Sequence, residues 1–228
     1  MDQSEIPEML VGTIARLWRY PVKSLAAEAL NQTTIEADGL SGDRRRALIV
    51  DDPGHARSGK PFRGKEHPLL HTLTSAPAAA QIGASAGVAL RVVCGERYFD
   101  AQPVSLLFDI WLRDVETLVG RPLDPLRYRP NIFVLAHERF TTREHELVGA
   151  TLDAGNATLR VVATIGRCVT TTYDVATGHS DPTVLREVAQ RRRNTVGVYC
   201  VVDRPGTLTI GDPLRQRSDP PVPVAQTS

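Results

Sequence analysis

Short runs of β-branched and aromatic residues recur along most of this 228-residue chain, and residues that favour turns separate them. Runs of this kind are typical of β-strands. They predict strands at residues 11–20, 46–52, 88–94, 131–136, 157–163, 168–174 and 195–202, with a hairpin turn at 153–158. Because these strands do not alternate with helices, the chain is expected to be mainly β, a barrel or a sandwich with a few peripheral helices.

Two further segments have the apolar spacing of amphipathic helices. Residues 103–120 carry an apolar stripe and end at Gly120, a residue suited to a helix C-terminus. Residues 181–193 begin with Asp181 as an N-cap and Pro182 at the first helical position. We expect both segments to be helices.

Composition excludes several classes of protein. The net charge is +1, so no global field attracts the chain to nucleic acid or to an anionic membrane. The runs Arg44–Arg46 and Arg191–Arg193 are local, and a solvated face is their commonest explanation. The sequence has no apolar stretch near the roughly 18 residues that a membrane span needs, and its acidic start lacks the features of a signal peptide. The expected location is therefore a reducing cytoplasm.

Three cysteines, Cys94, Cys168 and Cys200, do not have the count or spacing of a disulfide framework or a thiol-rich zinc site. An iron–sulfur cluster normally needs about four cysteines at close spacing, so none is expected in this chain. Any redox chemistry must take its electrons from another protein. Cys168 follows Arg167 and, on its own, could be a small core residue, a nucleophile or a metal ligand.

Two short motif matches fail on their context. GHARSGK, at residues 54–60, fits a phosphate-binding loop, but Pro61 and the residues after it cannot begin the helix that such a loop needs. GASAG, at residues 83–87, fits a nucleophile elbow, but a strand-like run follows it where an elbow requires a helix. We therefore expect neither match to be functional, and we expect residues 83–87 to form a flexible turn.

Four polar stretches lie next to predicted strands, at residues 20–24, 39–45, 127–132 and 166–168. They place basic side chains beside glycine or proline turns, and the proline after Arg129 is expected to hold that residue extended. Guanidinium groups and exposed backbone N–H groups suit a phosphate-bearing ligand. Taken singly, Lys23 and Arg44 also suit a solvated surface, and Asn131 a local turn. Cys168 alone also suits a buried core position.

Together and in this order, YPVKS, GLSGDR, RPNI and GRCVTTTYDVATG resemble the motifs of the MOSC family, named for the C-terminal domain of molybdenum cofactor sulfurase. The similarity runs from about residue 11 to about residue 214, and the family includes the amidoxime-reducing components. It implies a MOSC-type β-barrel and a molybdenum cofactor, in which a phosphate-bearing pterin dithiolene holds the metal. It also implies that Cys168 is the catalytic residue and the thiolate ligand of the metal. The implied cofactor-binding residues are Lys23, Ser24, Arg44, Arg129, Asn131 and Arg167.

The resemblance also implies an organisation and a function. Residues 9–215 are expected to form the MOSC-type unit, with an N-terminal β portion at about 9–100, a MOSC core at about 101–215, and flexible tails at 1–8 and 216–228. The implied enzyme reduces small N-oxygenated (N-hydroxylated) substrates with electrons from a separate protein of the flavin or ferredoxin type. The alternative is a carrier that holds the cofactor, or a persulfide on Cys168, for other enzymes.

The chain departs from the family pattern near its cysteine. Ile165 and Gly166 stand where relatives often have Cys and Ser, so a hydroxyl contact with the cofactor is expected to be lost. The segment that helps to form the substrate mouth in relatives is short here. The resemblance therefore does not specify the substrate.

Two pairs of side chains are further candidates for the site. Asp174 and His179 could form a polar rim, although Asp174 also suits a turn cap. His55 and Arg57 fall where relatives have a loop near the metal, and they could face substrate or simply be exposed.

Overall fold

A computed structural model describes residues 8–95 and 97–217 of the chain. The strands are β1 (Glu8–Arg19), β2 (Glu28–Leu30), β3 (Gln32–Glu36), β4 (Gly39–Leu40), β5 (Arg46–Val50), β6 (Leu90–Cys94), β7 (Val104–Phe108), β8 (Ile132–Ala136), β9 (Thr151–Ala154), β10 (Ala157–Gly166), β11 (Thr195–Arg204), β12 (Gly206–Thr209) and β13 (Pro213–Arg217). The helices are α1 (Ala76–Ser85), α2 (Asp109–Val119) and α3 (Pro182–Arg191). None of the helices in the described residues has the length and apolar character needed to cross a bilayer.

Seven strands form a closed barrel in the order β13-β9-β10-β11-β7-β8-β1, which closes because β13 also pairs with β1. The short strand β2 continues the sheet beyond β1, and β7 runs parallel to β8. Closure removes most of the open sheet edge that would otherwise favour association with other chains. Val11, Ile14 and Leu106 are fully buried in the main apolar core. The predicted mainly β barrel with a few helices is confirmed.

A second, smaller core lies beside the barrel. It contains Leu48 and Val50 of β5 together with Phe62, Leu70 and Ala79. β5 pairs with β6, and α1 packs against β6. Helix α1 has no counterpart among the predicted elements, because its sequence, APAAAQIGAS, is rich in alanine and lacks a clear apolar stripe. The GASAG segment is therefore the last turn of this helix and the turn after it, not a turn alone, and it still does not form an elbow.

The predicted helix at 103–120 is wrong in its first third. Val104–Phe108 forms β7, whose residues are all buried, and α2 begins only at Asp109. A strand that is covered on both faces has no polar alternation, so its apolar run can be mistaken for the start of a buried helix. Gly120 does end the helix, in a left-handed conformation with φ 80°.

The predicted strand at 168–174 is also wrong. Residues Val169–Thr172 form a 3₁₀ turn, and β10 ends at Gly166. Thr171 Oγ1 donates to the Cys168 carbonyl at 3.0 Å, and Thr172 Oγ1 donates to the Val169 carbonyl at 2.7 Å. These local hydrogen bonds compete with strand pairing and favour a turn in spite of the β-branched composition. Cys168 is therefore presented at the end of a barrel strand.

The predicted helix at 181–193 and the predicted hairpin turn at 153–158 agree closely with the structure. Helix α3 begins at Pro182, and Asp181 Oδ1 caps it by accepting from Thr183 N at 3.0 Å. The hairpin turn lies between β9 and β10, where Ala154 pairs with Ala157. Of the expected flexible tails, residue 8 belongs to β1 and residues 216 and 217 to β13. Residues 1–7 and 218–228 lie outside the described part of the chain.

Gly12 provides a test of barrel closure, because it pairs with β13 on one side and with β8 on the other. A Cβ at this position would overlap the Leu135 carbonyl oxygen and the Val134 side chain. We expect Gly12→Ala to lower the free energy of unfolding by about 1–3 kcal/mol, because the strands must move apart. Urea denaturation measures the change. Thr13→Ala, at an exposed neighbouring position, is the control, and equal stability of the two variants would contradict this account.

Candidate functional site

The predicted polar stretches meet at one cleft beside the end of β10. Five residues line its whole length: Arg44, Asp100, Arg129, Cys168 and Thr170. What we call the barrel part of the cleft continues along Arg127, Tyr128, Arg167 and Tyr199. What we call the N-terminal part continues along Lys23, Ser24, Arg63, Lys65 and His71. Both portions of the chain therefore build the cleft.

Cys168 is exposed in this cleft, whereas Cys200 is buried in the core. The Cys168 Sγ atom lies 3.2 Å from Thr170 Oγ1. The hypothesis that Cys168 is a small core residue is therefore wrong. Its thiol is available to a ligand or to a reactant.

Arg129, which lines the cleft, has an unexpected backbone conformation. It ends the 3₁₀ turn Pro125–Tyr128 with φ 50° and ψ 48°, so the prediction that it is extended is wrong. Its Nη1 atom donates to the Leu25 carbonyl at 2.8 Å and lies 3.2 Å from His71 Nδ1, while Nη2 is buried without a hydrogen-bond partner. Burial lowers the pKa of Arg129 to about 10. A buried donor without a partner is costly, and an anion in the cleft would satisfy it.

Arg167 is held by main-chain oxygen atoms. Its Nε atom donates to the Val196 carbonyl at 2.8 Å, and Nη1 donates to the Tyr128 carbonyl at 2.8 Å. Burial lowers the pKa of Arg167 to about 10. Gly197, with φ 82°, leaves the space for this guanidinium group, since an added Cβ would lie 3.1 Å from Arg167 Nη2. The cation is fixed in place, but its charge is not neutralised.

Arg44 is held differently, through Asp43 and Asn131. Its Nη1 atom donates to Asp43 Oδ2 at 2.5 Å and to Asn131 Oδ1 at 3.3 Å. Asn131 is fully buried, and its side chain also bonds to Ser105 and to the Trp18 carbonyl. Asn131 therefore does not line the cleft, whereas the other six predicted site residues do. It contributes to the site through its hydrogen bond with Arg44.

Non-glycine residues with positive φ are concentrated around this cleft. In the described part of the chain they are Ser24, Arg44, Arg129, Arg193 and Asn194. The first three line the cleft, and Asn194 bonds to the main chain of Arg167. Such conformations cost about 1–3 kcal/mol each and persist where the surroundings impose them, often at functional sites.

The cleft has an excess of positive charge. Asp100 is the sole carboxylate in its described lining, and it pairs with Lys23 Nζ at 2.5 Å. Within the described residues, Lys65, Arg129 and Arg167 line the cleft and have no carboxylate within salt-bridge distance. Arg129 and Arg167 are half-buried, and charges withdrawn from water are normally paired because their desolvation is costly. The arrangement favours an anionic ligand with several acceptor oxygen atoms.

Two further residues of the site, Tyr20 and His71, were not predicted. Tyr20 is buried between two cations, with the Arg44 and Arg129 Cζ atoms 4.7 and 4.1 Å from its ring centroid. His71 is buried in the N-terminal part, where burial and the Arg129 cation lower its pKa to about 3 and keep it neutral. Tyr20 could have been identified from the sequence, because it is the first residue of the YPVKS motif. No motif in the sequence around His71 indicates a role for that residue.

The two further pairs of candidate residues do not line the cleft. Asp174 and His179 line a neighbouring groove rather than the described lining of the cleft. There Asp174 bonds to Arg127 Nη2 at 2.9 Å and caps its own turn through Ala176 N at 3.1 Å. From the loop that was expected near the metal, Arg63 and Lys65 reach the cleft, while His55 and Arg57 are not in its lining.

Comparison with known proteins gives a consistent result. The MOSC N-terminal beta barrel domain matches residues 11–105, and the MOSC domain matches residues 96–215. The YUAD protein from Bacillus subtilis has a similar fold, with a TM-score of 0.58 and 15% identity over 94% of this chain and 99% of that one.

Two curated relatives match about half of the chain. Mitochondrial amidoxime-reducing component 1 of Danio rerio is 29% identical over 128 residues, which are 51% of this chain and 38% of that protein. Mitochondrial amidoxime reducing component 2 of Bos taurus is 28% identical over 132 residues, 52% of this chain and 38% of that protein. The similarity thus spans well under half the length of either relative.

The charge excess predicts that a simple anion stabilises the cofactor-free protein. Inorganic phosphate should raise the melting temperature, because binding to the folded state adds about 2.7 kcal/mol at a concentration of 100 Kd. The phosphate-dependent rise should be largely lost in Arg129→Gln and retained in Arg113→Gln, which changes an exposed arginine on α2. Thermal unfolding with and without phosphate measures this, and an equal rise in both variants would count against an anion site at Arg129.

Gly197 predicts a second, independent effect on the cleft. Gly197→Ala should crowd the Leu106 carbonyl oxygen, at 2.9 Å from the added Cβ, and Arg167 Nη2, at 3.1 Å. It should cost about 1–2 kcal/mol of stability, because an alanine is also strained at φ 82°. Its phosphate-dependent stabilisation should weaken as well. The control is Gly149→Ala, which has a similar strain at φ 95°, meets no atom within 4 Å of an added Cβ, and lies outside the lining of the cleft. Unchanged phosphate binding in Gly197→Ala would show that Arg167 does not contribute to the anion site.

Proposed function

Because the chain belongs to the MOSC family, we propose that it binds a molybdenum cofactor in the cleft at Cys168 and reduces small N-oxygenated substrates. The observation that carries the proposal is the meeting of an exposed thiol with half-buried guanidinium groups that have no carboxylate partner. Thiolate sulfur is a ligand for soft metal centres. Guanidinium groups suit the phosphate of a pterin cofactor.

The residues of the cleft fit such a cofactor. Arg129 Nη2 is a buried donor without an acceptor, and Arg167 is bound only to main-chain oxygens. Both guanidinium groups can therefore donate hydrogen bonds to the negatively charged oxygen atoms of a ligand. The Tyr128 hydroxyl is also buried without a partner in the barrel part, and burial raises its pKa to about 12, so it keeps its proton as a donor.

The proposal gives the two portions of the chain different roles. The portion at about 9–100 would supply Lys23, Ser24 and Arg44 to the phosphate-bearing end of the cofactor. The portion at about 101–215 would supply Arg129 and Arg167 together with the ligand Cys168. Asn131 would act indirectly, through its hydrogen bond to Arg44.

When bound, the cofactor would supply two-electron removal of an oxygen atom from the substrate. For an amidoxime the balance is that two electrons and two protons cleave the N–O bond and give an amidine and water. The names of the two curated relatives support this substrate class. The electrons would come from a separate protein of the flavin or ferredoxin type, since the cysteines of this chain do not have the spacing of a cluster. We propose a reducing cytoplasm as its location.

The exposure of Cys168 also favours one alternative, a carrier. A thiol that is open to the cleft can hold a persulfide for transfer to another protein. A carrier of this kind needs no molybdenum. It would release sulfur as thiocyanate when treated with cyanide, and this reaction distinguishes it from the proposed enzyme.

The test is the metal content of protein made in a host that synthesises the cofactor. We expect about one molybdenum per chain in the wild type and in Cys94→Ala, which removes the other exposed cysteine, and a sharp fall in Cys168→Ala, because the metal loses its protein ligand. Elemental analysis measures molybdenum, and reduction of benzamidoxime with dithionite-reduced methyl viologen measures activity.

Each other outcome has a definite meaning. Equal molybdenum in Cys168→Ala and Cys94→Ala would exclude Cys168 as the ligand. Molybdenum and pterin absent from the wild type, with cyanide-labile sulfur that disappears only in Cys168→Ala, would replace the enzyme by the carrier.

A further inference from the structure

A second groove, distinct from the cleft, has a basic lining drawn from three segments. We call it the basic groove. Arg143 and His145 come from the loop before β9, Thr164 from β10, and Arg191 and Arg193 from the end of α3. The neighbour of Thr164 on β10, Ile165, lines the cleft instead. The groove and the cleft both border β10, and they share no lining residue.

The acidic groups near the basic groove are already used. Arg192 is buried, and it pairs with Asp114 Oδ2 at 2.8 Å and with Glu144. By contrast, the side chains of Arg143, Arg191 and Arg193 have no hydrogen bond or ion pair within residues 8–95 and 97–217. The dipole of α3 favours a cation at Arg191, but it does not explain cations from two other positions in the same groove.

The turn that builds the groove also supports the residue next to Cys168. Arg193 and Asn194 are consecutive residues with φ 53° and 59°, a rare arrangement outside glycine. Arg167 N donates to the Asn194 carbonyl at 2.9 Å, and Asn194 Nδ2 donates to the Arg167 carbonyl at 2.9 Å. Two hydrogen bonds therefore join Asn194, beside the groove, to Arg167, and Cys168 is the next residue of the chain.

We propose that the basic groove is the docking site of the electron donor, and that the donor is a small redox protein with an acidic surface around its cofactor. This inference rests on the proposed function, which needs such a donor. The whole chain carries a net charge of only +1, so long-range attraction must come from a local patch. A basic patch steers an acidic partner and can raise its association rate by about 10–1,000-fold. Docking here would bring the donor to the turn that holds Arg167.

The test compares two pairs of charge reversals in the full-length protein. Arg143→Glu/Arg191→Glu reverses two charges in the groove. Arg113→Glu/Arg186→Glu reverses two exposed charges on α2 and α3 outside its lining. With reduced flavodoxin, an acidic flavoprotein, as donor, we expect benzamidoxime reduction by the groove variant to lose at least about tenfold in kcat/KM for the donor. The control variant should stay within about twofold.

Two further measurements make the result specific. Turnover with methyl viologen should be the same in both variants, because neither pair of residues touches the cleft. The rate with flavodoxin should fall as salt is added to the control variant and should hardly respond in the groove variant. Equal flavodoxin rates and equal salt dependence in both variants would overturn the docking site.

Calorimetric binding of oxidised flavodoxin separates this inference from the proposed function. Binding that is lost only in the groove variant, in a protein that has no turnover with any donor, would remove the proposed enzyme and retain the groove as a site for acidic proteins. Turnover with methyl viologen but equal flavodoxin binding in both variants would retain the enzyme and remove the groove. Tighter groove-dependent binding of a DNA duplex than of flavodoxin would also overturn the proposal.

Discussion

The presence of two half-buried guanidinium groups without carboxylate partners is the constraint around which the candidate site is organised. Arg129 and Arg167 are both held by main-chain carbonyl oxygens, which fix their positions and leave their charges uncompensated. Burial lowers the pKa of each to about 10, yet both remain cations at neutral pH. A fold can retain such groups only if the rest of the structure compensates for the cost of desolvation. Here the compensation comes from the closed barrel and its apolar core.

Backbone strain is concentrated at the positively charged cleft, as the unpaired cations are. Ser24, Arg44 and Arg129 adopt left-handed conformations, and each of them lines the cleft. A glycine would adopt these conformations without strain but would supply no side chain. The hydrogen bonds around them, such as that from Arg44 to Asp43, hold the residues in place. Side-chain chemistry rather than stability accounts for a non-glycine residue at these positions.

The sequence predicted the barrel and the members of the cleft better than the shape of the segments between strands. Alternating and apolar runs identified strands such as β1 and β11, because burial on one face imposes a period of two. The run at 168–174 failed because threonine side chains bond to their own main chain, which composition alone does not reveal. Likewise, the conformation of Arg129 is imposed by the turn before it, and the burial of Asn131 depends on β1 and on Ser105, which are distant in sequence.

The uncompensated charge also bears on the stability of the folded chain. Lys23 and Lys65 line the N-terminal part of the cleft, Arg167 lines the barrel part, and Arg129 lines both. Without an anion these like charges repel one another, and Asp100 is the one carboxylate that offsets the repulsion within the described lining. An anion in the cleft replaces the repulsion by attraction to each cation. Binding of the ligand and folding of the chain would then be thermodynamically linked.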